Sequence, residues 1–287
     1  MNSMCLERAD EIFSETTMKH LVSAVELLDL EKGGWRNIIP EIVLPEDEGT
    51  LNLVKLSLYK FPQLECLVDN NEYIKCHIQN VLSKLVELRL SSMENFKELC
   101  SGSLPVQLLK SLETLSIIEC KQLQGMLFKS MLSLCNLKSL IVESCPMLTS
   151  LCQLSTTQSL VLLEDLYISN CDELKCIVDI SGYNEKKISS SVFPNLETLG
   201  IHECPKLDFI LPVIVAQDVP KLKFIYITHC SELKCIFCEH QNKHEEDLHQ
   251  ELTDAIFVIL KEVYLFDLPK FVDIKCSIDD SKKISKM

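Results

Sequence analysis

The sequence predicts an α/β fold, a right-handed solenoid, on three observations. One spacing of apolar residues recurs along it: in LETLGIHECPKLDFI, the residues Leu196, Leu199, Ile201, Cys204, Leu207 and Ile210 fall at offsets 0, 3, 5, 8, 11 and 14. Within each copy the apolar residues at offsets 3 and 5 are separated by outward neighbours, the two-residue period of a strand with two faces. The copies also lie far enough apart for each short strand to return through a dozen or more residues and align parallel to the next. One such unit cannot bury its own apolar edge, whereas stacked copies share a continuous core. The expected shape is a horseshoe with a concave parallel sheet, built by right-handed crossovers, and an outer flank that is irregular or short-helical.

Taken in order, residues 1–24 fit the template badly and read as an N-terminal remnant, with a short helix expected between Leu6 and Phe13. Val25, Leu28, Leu30, Gly33 and Ile39 then match, but Arg36 takes an apolar slot, so the first copy is degenerate or cut. The polar PEDEGT, 45–50, precedes a good copy. Starts follow at Leu53, Leu85, Leu112, Leu137, Leu163, Leu196, Leu222 and Leu260, 25 to 38 residues apart. These place strands near 55–59, 87–91, 114–118, 139–143, 165–169, 198–202, 224–228 and 262–266. Polar insertions interrupt the array at about 178–192 and 237–256. In the second, Leu248, Leu252, Ile256 and Ile259 recur at helical spacing. The solenoid is expected over 25–275, with 276–287 a frayed tail. The recurring block is that of a leucine-rich repeat.

Composition narrows the function. The chain is 47% hydrophobic with 7 Gly and 10 Pro, which predicts a packed rather than a disordered chain. Its formal charge of −14 repels phosphate backbones and argues against a nucleic-acid partner. The opening MNSMCLERADEIF lacks the basic start and apolar run of a secretory signal, and no window approaches the ~20 apolar residues of a membrane helix. A cytoplasmic chain without membrane insertion is expected, its 15 cysteines held as thiols.

Other constellations have plainer readings. Cys235, Cys238, His240 and His244 form C-x2-C-x-H-x3-H, but Cys235 repeats the slot of Cys66 and Cys176, and a second ligand pair is missing. The ladder Cys120, Cys145, Cys171, Cys204 and Cys230 occupies an inward slot, where a thiol acts as a small hydrophobe. His202 and His229 have no nucleophile motif beside them. No catalytic residue, cofactor or metal site is expected, and the chain does not read as an enzyme.

The strings FPNLETLGIHECPKLDFI, VPKLKFIYITHCSELKCI and SLETLSIIECKQLQGM resemble the carboxy-terminal repeats of plant intracellular nucleotide-binding, leucine-rich-repeat disease-resistance proteins of the coiled-coil class. A Phe-Pro or Val-Pro start, the strand, Cys-Pro or Cys-Ser and a Lys-Leu pair carry the resemblance, over roughly residues 20 to 275. It implies a sensor region that binds a pathogen effector or a host protein in the defence response. It also implies a nucleotide-binding module as an intramolecular or parent-protein partner. No GxxxxGK[ST] loop occurs, so the chain reads as the repeat part of such a protein, a truncated relative or a fragment. The alternative is a generic protein-binding adaptor, such as a ubiquitin-ligase substrate-recognition subunit.

Two columns of residues are expected to face outward from the sheet. Ser57, Arg89, Ser116, Ile141, Tyr167, Gly200, Tyr226 and Tyr264 form one; Tyr59, Ser91, Ile118, Glu143, Ser169, His202, Thr228 and Phe266 form the other. The early face carries Lys55, Lys60 and Arg89. The late face gathers Tyr167, His202, Phe224, Tyr226, His229, Tyr264 and Phe266, which are the candidate partner-binding residues. Rigid aromatics offer large contact area at little entropic cost. In the resembling family, early repeats commonly face the nucleotide-binding module and late repeats the ligand.

Overall fold

In the computed structural model, residues 2–39, 41–42, 51–69, 80–102, 107–128, 134–154, 160–180, 193–212, 219–240 and 260–278 are described. The chain opens with strand β1 (Ser3–Glu7), helices α1 (Ala9–Ile12) and α2 (Glu15–Ala24), then β2 (Leu27–Glu31) and β3 (Asn37–Ile39). Each later unit adds an inner strand and a short outer one. They are β4 (Lys55–Tyr59) with β5 (Cys66–Asp69), β6 (Glu87–Met93) with β7 (Glu98–Ser101), and β8 (Thr114–Cys120) with β9 (Gly125–Phe128). Next come β10 (Ser139–Glu143) with β11 (Leu148–Gln153), and β12 (Asp165–Ser169) with β13 (Val178–Asp179). The last are β14 (Thr198–His202) with β15 (Phe209–Pro212), β16 (Phe224–Thr228) with β17 (Cys235–His240), and β18 (Glu262–Phe266) with β19 (Asp273–Ile278).

The inner strands make one ten-stranded parallel sheet in the order β1-β2-β4-β6-β8-β10-β12-β14-β16-β18. All eight expected strands lie where the spacing puts them. The register pairs identical template positions, as in Leu140↔Leu166↔Leu199↔Ile225↔Val263. Parallel strands in this register bring equal side chains together every ~4.8 Å, so a leucine chosen for one unit packs on the same leucine of the next. The result is one continuous buried core.

The two turns of each unit explain the dipeptides that punctuate the sequence. At the strand's end, Leu148, Leu174, Leu207 and Leu233 donate their backbone N–H to the carbonyls of Cys145, Cys171, Cys204 and Cys230, each at 3.2 Å. Before the strand, Leu196 and Leu222 do the same to Phe193 (3.1 Å) and Val219 (3.2 Å). Pro146, Pro205, Pro194 and Pro220 all stand second in such four-residue turns, where a fixed φ near −65° is already right.

The outer flank holds three three-stranded parallel sheets, β3-β5-β7, β9-β11-β13 and β15-β17-β19, where the sequence suggested irregular chain or short helix. The outer strands are only two to six residues long, as in Val178–Asp179 and Leu148–Gln153. That length is too short to recover the cost of helix nucleation. Stacked at the same spacing, such segments satisfy their backbone groups by pairing with each other.

At the N terminus the sheet begins at Ser3, ahead of the boundary expected at residue 25. Met4 and Leu6 take the two inward strand positions, and Ala9, 1% exposed, fills the slot that the thiols fill later. The helix expected at Leu6–Phe13 is confined to α1; the return path is α2, capped by Ser14, whose Oγ accepts from the Thr17 N–H at 3.3 Å. Met18 and Val22, one turn apart, point into the core. The mismatched Arg36 is exposed and paired with Glu65 at 2.8 Å. Trp35 packs instead, its ring stacked on Phe61 at 5.9 Å. Gly33 makes room for both: a Cβ there would come within 2.3 Å of the Phe61 ring and 2.6 Å of Trp35.

The helix suggested by Leu248 to Ile259 lies outside the described residues. Cys276–Ile278 continue β19, where a frayed tail was expected. No described helix is long and apolar enough to cross a membrane.

Candidate recognition surface

Each inner strand ends on a residue with left-handed backbone, Arg8, Lys32, Lys60, Ser92, Glu119, Ser144, Asn170, Glu203, His229 and Asp267, with φ between 51° and 59°. This bend turns the chain from the sheet into the core. It also lets the N–H of Ser144, Asn170, Glu203 and His229 reach the last carbonyl of the next inner strand, at 2.9 to 3.1 Å. L-residues resist this conformation, so each unit accepts local strain for one more rung of the ladder. Side chains at these positions fan out along one rim of the sheet.

Register assembles the outward columns as the spacing implies. Tyr167, Gly200, Tyr226 and Tyr264 are successive partners, and so are Ser169, His202, Thr228 and Phe266. Tyr167, Tyr264 and Phe266 are exposed. The Tyr264 and Phe266 rings stack at 6.4 Å, and His229 meets Phe266 edge-on at 5.4 Å. His202 meets His229 edge-on at 5.2 Å. Of the seven candidates, His202, His229, Tyr264 and Phe266 therefore form a contiguous ring cluster. Phe224 shares the face but stands at the opposite end of its strand, beside Thr198 and Glu262.

Polar neighbours outside the seven candidates hold this cluster. His202 Nδ1 and the Thr228 hydroxyl share a 2.5 Å hydrogen bond, and His202 Nε2 lies 3.3 Å from Glu203. His229 Nδ1 is 2.7 Å from Asp267. Burial, and next the charge of the nearby Glu262 carboxylate, push the Tyr226 phenol above its ordinary pKa. Glu203 and Asp267 sit at the left-handed positions, so the signal for them is the polar residue that follows each strand.

Gly200 shapes the other part of the surface. A Cβ here would lie 2.5 Å from Cδ1 of Tyr167, so the missing side chain is what lets that ring settle over the neighbouring strand. A groove of about 510 Å³ opens there, lined by Ile141, Glu143, Tyr167, His202, Tyr226 and Thr228 among others. The early face is different: Lys55 pairs with Glu87 (3.0 Å), Lys60 with Glu31 (2.9 Å), and Arg89 approaches Glu87 (3.8 Å). Its cations are matched by carboxylates on the same sheet.

The thiol ladder lies beneath. Cys120, Cys145, Cys171, Cys204 and Cys230 are buried, and each Sγ–H donates to the carbonyl two residues back, at 3.3 to 3.7 Å. Hydrogen bonding to Cys171 and Cys230, then burial, raises the Cys204 pKa, and bonding to Cys120 with burial does the same for Cys145. Protonated and buried, Cys204 and Cys145 are poor nucleophiles, whereas hydrogen bonding to Cys204 lowers the pKa of Cys171 and of Cys230. Cys235, on the flank strand β17, departs from the expectation of thiols throughout: it is disulfide-bonded. Of its proposed zinc-ligand companions, Cys238 is buried on the same strand and His244 lies outside the described residues. No described group of three or more His, Cys, Asp or Glu is arranged to hold a metal ion.

No curated protein matches the chain. A family model, plant disease resistance protein RPS2-like, leucine-rich repeats, matches residues 126–192 and 183–286, which together span more than half of it and include the ring cluster and groove. The ten-strand parallel sheet in strict register, the repeated turns and this match together place the chain in the family of plant disease resistance protein RPS2-like leucine-rich repeats.

Proposed function

We propose that the sheet face from about Tyr167 to Phe266 is the recognition surface of a disease-resistance sensor, binding a pathogen effector or a modified host protein. The single observation that carries this reading is the exposed ring cluster on a rigid sheet, Tyr264 and Phe266 stacked and joined through His229 to His202. Large exposed aromatics on an ordered scaffold are costly to leave in water and lose little entropy on binding, which is the character of interface anchors. The early face, with its cations already paired, fits a contact with the nucleotide-binding module that the family's architecture implies. Nothing on the sheet supports chemistry of its own.

The test is mutational, in the full-length receptor that carries these repeats. Tyr226→Ala and Tyr264→Ala are each expected to cost about 1–3 kcal/mol of partner affinity and to silence the defence response. Lys234→Ala on the outer flank, whose partner is Asp208 at 2.6 Å, is expected to leave both intact. Recognition that survives the two tyrosine changes but is lost with Lys234→Ala would move the binding surface to the flank.

A further inference from the structure

The groove over Gly200 has a charge character that the early sheet lacks. From β10 to β18, the outward positions and the left-handed rim include the carboxylates Glu143, Asp165, Glu203, Glu262 and Asp267, and no lysine or arginine. Lysines stand just before the strands: Lys138 is paired with Glu113 at 2.9 Å, Lys223 with Glu197 at 2.7 Å, and Lys261 precedes Glu262. Between these carboxylates lie two aromatic rings in one column, Tyr167 settled over Gly200 and Tyr226 beyond it. Glu143 lines the groove on one side, and the Glu262 carboxylate lies near the Tyr226 phenol on the other.

Aromatic faces attract a cation that comes within ~6 Å of the ring, and guanidinium does so best because it is planar, weakly hydrated and able to fork onto a carboxylate. A neutral apolar side chain would satisfy the rings and leave the carboxylates unanswered. An acidic one would meet only like charge. We propose that this groove is the arginine subsite of the recognition surface: it takes one arginine side chain of the protein ligand, stacked on Tyr167 and Tyr226 and paired with Glu143. The inference rests on the late face being the recognition surface, and it assigns that face a partner with an exposed basic segment.

The probe is a fluorescein-labelled glycine pentapeptide with one central arginine, compared by anisotropy with its citrulline twin, which has the same shape and no side-chain charge. At about 0.15 M salt, where long-range attraction is screened, the arginine peptide is expected to bind this chain at least about tenfold tighter than the twin. Glu143→Gln and Tyr167→Leu should each weaken it severalfold. So should Gly200→Val, which drives the Tyr167 ring off its seat. Glu94→Gln removes an exposed carboxylate remote from the groove and should change nothing. Equal binding of the twins, or equal losses from Glu94→Gln and Glu143→Gln, overturns the proposal, since either means no site or only diffuse attraction to an acidic protein. Circular dichroism of each variant shows that the sheet is retained. An arginine preference alongside recognition that survives Tyr264→Ala would sink the broader reading and leave the groove's chemistry standing. No preference alongside recognition lost in Tyr264→Ala would sink this inference alone.

Discussion

A cysteine at the ninth position of five consecutive units is a packing choice. The slot lies at full burial just past the strand, beside the carbonyl of the residue two before it, as the 3.5 Å contact from Cys204 Sγ to His202 shows. A thiol is small, apolar and able to donate weakly, and so satisfies both needs. Serine donates more strongly but carries a hydroxyl whose acceptor lone pairs find no water, so Cys204→Ser is expected to cost about 1–3 kcal/mol, measured by urea unfolding. In the native protein, iodoacetamide should modify the exposed Cys5 and Cys135 well before any ladder thiol; early labelling of Cys145 or Cys204 would show the ladder open to solvent. The left-handed residues are the second residue-scale device. Ser144, at φ 53°, occupies a conformation that glycine adopts freely. Ser144→Gly should therefore raise stability by up to about 1 kcal/mol or leave it unchanged, whereas a glycine inside an ordinary strand destabilises. A clear loss would mean that the serine side chain, and not the backbone, secures the bend.

At the scale of elements, the outer strands are the part that repeat spacing left open. Leu67, Leu99, Leu151 and Ile177 were visible as template positions, but nothing in one unit says whether the residues around them form a helix, a strand or irregular chain. Stacking decides it, because β5 exists only by pairing with β3 on one side and β7 on the other. Their thiols offer a readout. Burial first, and then the charge of Asp69, pushes Cys66 up to about 11; burial and the neighbouring Cys66 push Cys100 up to about 12, both from an ordinary 9.0. A pKa raised on folding means that the folded state holds its proton more tightly, so this stability is fully present below pH 9 and is lost as pH climbs through 11 to 12. The urea midpoint should thus be level to about pH 9 and then fall, and Cys100→Ala should flatten the fall. A decline of unchanged slope in that variant would place its cause elsewhere.

Over the whole molecule, stability is a sum of unit and interface contributions, so a position's worth depends on where along the array it stands. Leu166 on β12 is fully buried between identical neighbours, whereas Val263, its counterpart on the last strand β18, is 39% exposed. The same holds for the other core positions of that unit, Leu265, Leu268, Phe271 and Ile274, which are only partly buried. Leu166→Ala is expected to cost about 2–5 kcal/mol, and Val263→Ala below about 1. Hydrogen exchange should run fastest at the two edge strands, β1 and β18, and slowest near β10 and β12. Uniform protection from β1 to β18 would instead indicate a single cooperative block.

What the amino-acid order determined by itself is everything that depends on period. Offsets 3 and 5 alone placed eight inner strands, because alternation along a strand and repetition between strands are both one-dimensional properties. The outward columns followed from the same count, since one residue of slip would bury Tyr226 and expose Ile225. Turn positions were legible as Phe-Pro and Cys-Pro, although their role as paired four-residue turns was not. What only the tertiary structure decided depends on a neighbour far away in sequence. Ser3–Glu7 became a strand because Leu27–Glu31 lies beside it, although an isolated Met-Cys-Leu-Glu shows no decisive pattern. Trp35 replaced Arg36 in the core because Gly33 and Phe61 left it room. The joining of His202 to His229 and of His229 to Phe266, and the seat of Tyr167 over Gly200, arise between residues 27 to 37 positions apart. Contacts of that kind are set by which rotamers and backbone bends coexist once the units stack, and no single repeat contains them.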